Sequence, residues 1–182
     1  MLPILLALAF IALVFIIVIA GQPDEFSVSR RITIAAPPDQ VFPYVNVLRN
    51  WDAWNPWAKL DPNCKMTYEG PPAGIGASYA WNGNNKIGAG RNTITESRPN
   101  EFIRFKLEFL RPMAATNIAE FTFQPNDGQT VVTWTMSGTR KAGGKIFGLL
   151  LNCDQMIGGQ FDQGLAQMKS VIATAGKTAV HA

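Results

Sequence analysis

Two hydrophobic periods run along this chain, and the switch from one to the other lays out its elements. Positions 26–34 alternate, with Phe26, Val28, Ile32 and Ile34 on one face and Ser27, Ser29, Arg31 and Thr33 on the other. A period of two predicts a strand, and Arg30 is the single break in its apolar face. Pro37-Pro38-Asp39 stops that strand and opens a helix over 40–48, with Val41, Tyr44, Val45 and Leu48 as its stripe. Segments 65–69, 77–81, 88–97, 101–110, 117–124 and 130–138 then read as strands between turns rich in Gly, Pro, Asn and Asp. The cleanest of them sets Ile103, Phe105, Leu107 and Phe109 against Arg104, Lys106 and Glu108. Successive hairpins with one apolar face predict an antiparallel sheet.

The period changes at the end of the chain. Over 145–175, Ile157, Phe161, Leu165, Met168 and Ile172 recur at helical spacing, which predicts a long helix with one buried face. Gly158, Gly159 and Gly164 interrupt it, each at a cost of about 1 kcal/mol relative to Ala. Their presence is read as close approach to the sheet or as the shaping of a cavity.

One stretch has neither period. Residues 2–20 carry no charge and no hydrogen-bonding side chain, and as a helix they span about 30 Å, the thickness of bilayer hydrocarbon. An uncleaved membrane anchor is the favoured reading. The rival is a secretory signal cut after Val18-Ile19-Ala20, but no Lys or Arg precedes the run and it exceeds a normal signal core. Arg30 and Arg31 follow the span, so the positive-inside rule favours a single-pass protein with its domain in the cytoplasm. The expected organisation is an anchor at 1–21, a linker at 22–25, a domain at 26–175 and a flexible tail at 176–182.

Charge and composition then remove whole classes of function. The net charge is +3, with Lys and Arg scattered rather than striped, which argues against a nucleic-acid partner. Cys64 and Cys153 make neither a disulfide framework nor a zinc site, so no metal or other cofactor is expected. The one histidine is His181, next to last in the chain, which argues against triad chemistry and His-based metal sites. Gly74-Ile75-Gly76 and Gly88-Ala89-Gly90 open onto no helix, so they read as turns rather than phosphate loops.

The remaining candidates for chemistry are carboxylates. Glu96 is in phase with Ile94 and so expected inward, Asp52 lies among Trp51, Trp54 and Trp57, and Tyr79 could serve as a donor. The tryptophans either seal the edge of a core or line the mouth of a ligand site. The broader candidate lining for an apolar ligand is Trp54, Tyr79, Trp81, Phe105, Phe121, Trp134, Met136 and Met156. A filled core has the same composition, and the pattern leaves the two open.

Four stretches also resemble a known family: Ile32 to Phe42, the Trp-rich segment 51–57, Gly74 to Asn84, and Met156 to Leu165 ahead of Met168-Lys169. Over residues 26–173 they resemble the polyketide cyclase/dehydrase-like branch of the START/Bet v 1 (SRPBCC) superfamily. The resemblance implies an α+β helix-grip fold. In it a curved antiparallel β-sheet of six or seven strands wraps around the long C-terminal helix, here preceded by one N-terminal transmembrane helix. It also implies an apolar cavity between sheet and helix, and it carries over no catalytic motif. Three readings follow. The first is a membrane-anchored domain binding a hydrophobic small molecule or lipid. The second is a cyclase- or hydratase-type enzyme, which no His-based, nucleophilic or metal motif supports. The third is a membrane-tethered module whose exposed tryptophans dock a protein partner.

Overall fold

The computed structural model describes residues 23–139 and 153–180, together with isolated positions within 3–21. The expected anchor therefore lies largely outside the described residues, as does the stretch 140–152. Among the described residues no helix is long and apolar enough to cross a membrane.

A seven-stranded antiparallel sheet carries the fold, in the order β1-β7-β6-β5-β4-β3-β2. Its strands are β1 (Glu25–Ile34), β2 (Lys65–Glu69), β3 (Ser78–Asn82), β4 (Ala89–Arg98), β5 (Phe102–Arg111), β6 (Ala115–Asn126) and β7 (Gln129–Thr139). Strands β2 to β7 form a simple meander, as the hairpin pattern predicts. The first strand closes the sheet by pairing with the last, Val28 opposite Met136. The fold is the α+β helix-grip arrangement, with the C-terminal helix α3 (Cys153–Val180) packed on β1.

The expected helix over 40–48 is broken. Pro43 has no N–H to continue the ladder, so the chain forms α1 (Pro38–Val41) and α2 (Pro43–Asn46) instead. Two 3-10 turns, Leu48–Ala53 and Pro56–Lys59, carry the tryptophans. Helix α3 continues to Val180, past the expected end at 175. Its stripe is as predicted: Phe161, Leu165, Met168 and Ile172 are buried and Ile157 is half-buried.

The glycines of α3 divide by face. A Cβ on Gly158 would meet the Arg30 guanidinium at 2.0 Å, and one on Gly164 would meet Pro56 and Trp134 at 3.0 and 3.1 Å. These two are close-approach positions. Gly159 is exposed, with nothing within 4 Å of a Cβ, so the expectation that it too abuts the sheet is corrected. Arg30 explains the polar break in β1. Its guanidinium sits under the helix, bonded to Asp154 at 2.9 Å and Asp162 at 3.2 Å.

Candidate functional site

The concave face of the sheet has two unlike ends. At one, beneath α1, α2 and the 3-10 turns, it is filled with aromatic rings. Trp51 lies 4.8 Å from Trp54, 5.4 Å from Phe105 and 5.9 Å from Phe121, measured between ring centroids. Trp134 stacks on Phe121 at 4.8 Å and on Phe161 of α3 at 4.0 Å. Backbone carbonyls satisfy two of the indoles, Trp51 Nε1 donating to Val45 and Trp54 Nε1 to Tyr44, both at 2.9 Å, while the buried Nε1 of Trp134 has no partner among the described residues. Trp54, Phe105, Phe121 and Trp134 are thus packed core. Trp57 is half-buried against Trp134. An open aromatic docking surface over 51–57 is not what these residues form.

At the other end the described residues cover the same face less. Met66 of β2 pairs with Trp81 of β3, and Trp81 lies across Gly90, where a Cβ would meet its ring at 2.4 Å. Phe109 of β5 stands edge-on to Trp81 at 5.7 Å. Met66, Trp81, Leu107, Phe109 and Phe26 are all half-buried here.

A row that is polar except at Leu107 separates the two ends. The pairings Tyr79–Asn92, Asn92–Leu107 and Leu107–Asn117 run straight across β3 to β6. Asn92 is only 3% exposed, and its Oδ1 has no partner among the described residues. Asn117 Nδ2 points at the Met136 sulfur at 4.0 Å. Burial holds the Tyr79 phenol well above its ordinary value, while a hydrogen bond from Asn92 pulls the other way. Of the expected lining residues, Tyr79, Trp81 and Met136 border this half-open region. Met156 does not: out of phase with Ile157 and Phe161, it is 51% exposed on α3.

Sequence reasoning passed over Asn92 and Asn117, although a signal was present. Asn92 is in phase with the buried Ile94, and Asn117 with the buried Ala119 and Phe121. A polar residue in phase with an apolar face is the feature to look for.

The carboxylates lie elsewhere. A register shift between Ile94 and Glu96 turns Glu96 to the outer face, opposite Arg104. It is paired there with Arg104 and with Arg98, and Arg104 also holds Glu120 at 2.8 Å. The inward Glu96 expected from alternation is thereby corrected. Asp52 is exposed and accepts a hydrogen bond from the Tyr68 hydroxyl at 3.1 Å. Burial, with the Asp52 charge second, pushes that phenol up to about 12. A cleft of about 240 Å³ opens beside it, lined by Leu48, Arg49, Tyr68, Pro71, Pro72 and Ser78. It lies outside the space between sheet and α3.

The chain belongs to the polyketide cyclase / dehydrase and lipid transport family, whose model matches residues 25–173. No curated protein sequence matches it. Among solved structures it is similar to a Thermobifida fusca protein, with 18% identity over 81% of this chain and 93% of that one and a TM-score of 0.63. Protein CV1439 from Chromobacterium violaceum is 16% identical over 83% and 98% of the two chains, with a TM-score of 0.57. Ara h 8.0201 is 12% identical over 82% and 99%, again at 0.57. At such identities these likenesses speak for the fold.

Proposed function

We propose that this is a membrane-anchored domain that binds a hydrophobic small molecule or lipid at the half-open end of its concave face. The carrying observation is the polar row set in apolar surroundings: buried Asn92 with an unpartnered Oδ1, beside half-buried Trp81, Leu107 and Phe109. A mostly apolar surface with a few fixed polar groups suits an amphiphile with an apolar body and a hydrogen-bond donor. The family to which the chain belongs includes lipid transport in its description, which supports the same reading.

The anchor is the second part of the proposal. Ile4, Leu6, Phe10, Leu13 and Ile17 are helical and each more than half exposed, so the domain does not cover them. An uncharged run of nineteen residues, helical and exposed at those described positions, suits a bilayer. Tethering keeps the site where apolar ligands concentrate. The cytoplasmic side is the orientation favoured by Arg30 and Arg31.

The test is native mass spectrometry of the full chain extracted in detergent, followed by titration with the species released. A co-purifying amphiphile that is lost in a Phe109→Glu variant of unchanged circular dichroism supports the proposal. A ligand-free chain whose tryptophan fluorescence and thermal midpoint do not respond to fatty acids, sterols or phospholipids would sink it.

A further inference from the structure

The register of the sheet brings three features to one edge. Glu25 pairs with Thr139, Asn117 with Gly138, Phe109 with Ala115, Ala89 with both Arg111 and Asn82, and Asn82 with Lys65. The start of β1, the β5–β6 hairpin, the β3–β4 hairpin and the half-open end of the concave face therefore share an edge. Residues 2–20 join the domain at that edge through 21–24. The filled end, capped by α1 and α2, is at the other.

The β5–β6 hairpin reaches beyond the start of β1, as does the β3–β4 loop, whose Ala89 is level with Arg111. Asn117 is level with Phe26, both being paired to Gly138. Ala115, the first residue of β6, thus stands about 3 Å beyond Glu25, at ~3.3 Å per residue, and residues 112–114 turn beyond it. The four linker residues reach at most about 14 Å when fully extended. A linker of that length keeps the end of the apolar run within reach of the hairpin tip.

That tip is apolar and bare. Leu110 is 65% exposed and Met113 55%, with Pro112 and Ala114 exposed between and beside them. The charge within the turn is diverted: Arg111 donates to Asn82 Oδ1 at 2.6 Å and to the Gly83 carbonyl. Lys65, at the start of β2, and Lys86, in the β3–β4 turn, are exposed at the same edge. Asp61, at the same edge, accepts from the backbone N–H groups of Asn63 and Asn84.

We infer that Leu110 and Met113 dip into the bilayer that holds the anchor, so that the half-open end of the concave face lies against the membrane surface. A lipid would pass between bilayer and site without crossing bulk water. The inference rests on the proposed anchor and adds the docking face and the route of exchange.

The experiment uses the full chain in phosphatidylcholine nanodiscs, with Cys64 and Cys153 replaced by Ser. A nitroxide is attached at Met113→Cys or, at the opposite edge, at Asp127→Cys, and its collisions with oxygen and with a water-soluble nickel chelate are compared. The expected result is a Met113 label at least several-fold more accessible to oxygen than to nickel, with the reverse at Asp127. Leu110→Glu with Met113→Glu should leave the fold intact and slow lipid uptake from the nanodisc by about tenfold. A Met113 label as aqueous as that at Asp127, in a chain that alkaline carbonate does not extract, overturns this inference and leaves the anchor standing. A chain that carbonate strips from membranes overturns both.

Discussion

Trp134 of β7 and Phe161 of α3 lie face to face, 4.0 Å between centroids and 9° from parallel. This contact fastens the long helix to the sheet, and Trp51 and Trp54 pack around it at 6.2 and 5.7 Å from Trp134. The space that could have held a ligand beneath the middle of α3 is occupied by the protein's own rings. Phe161→Ala should therefore cost about 3–5 kcal/mol, as for other buried aromatics removed from filled cores. Urea unfolding of the two proteins checks it, and a cost below ~1 kcal/mol would mean that the helix is held elsewhere.

The glycines of α3 make a sharper comparison. Gly159→Ala adds a Cβ to open space on an exposed helical face, so it should stabilise by about 0.5–1 kcal/mol. Gly164→Leu drives a side chain into Pro56 and Trp134 and should destabilise by ~1–3 kcal/mol. Thermal or denaturant midpoints of the pair should move in opposite directions.

The link between Arg30 and α3 predicts a dependence on acid. A hydrogen bond from Arg30 holds the Asp154 carboxyl below its ordinary value in the folded chain. Its contribution is therefore present above the unfolded carboxylate value, near 4, and is lost as pH falls through the lower folded value. Asp154→Asn should flatten the fall in stability with acid across that range. Denaturant midpoints measured between about pH 2.5 and 5 for both proteins would show it.

Tyr68 supplies a spectroscopic handle. Its phenol, raised to about 12 by burial and then by Asp52, should still be protonated where free tyrosines have ionised. Asp52→Asn should lower it only part of the way, because burial is the larger cause. Ultraviolet titration against a Tyr68→Phe background isolates the transition. A full return to about 10 would make the carboxylate dominant.

Glu96 should prove dispensable for binding. It sits on the outer face in half-exposed ion pairs, which are typically worth up to ~1 kcal/mol. Glu96→Gln should leave ligand affinity unchanged and lower stability by no more than about that amount. A lost activity with an intact fold would return it to the candidate site.

Much of this could be read from the order of residues because it depends on local periodicity. The alternation through Ile103 to Phe109 and the 3.6-residue stripe from Ile157 to Ile172 specify buried faces whatever lies opposite them. What failed did so where a local irregularity breaks the period. The bulge after Ile94 turns Glu96 around, and Pro43 divides one expected helix into two. Neither Gly158 nor Gly159 carries any sign of which faces Arg30.

Sequence alone determined the strands, the long helix and the wholly apolar run at 2–20, because each is a statement about one segment and its own pattern. Only the tertiary structure decided that β1 closes the sheet beside β7, that the tryptophans of 51–57 fill one end of the concave face, and that the buried Asn92 lies at the border of the other. Those facts depend on which distant residues share a layer, and side-chain period carries no information about that. The same holds for the edge shared by the start of β1, the exposed Leu110–Met113 hairpin and the half-open face: register across seven strands, rather than any one of them, puts them there.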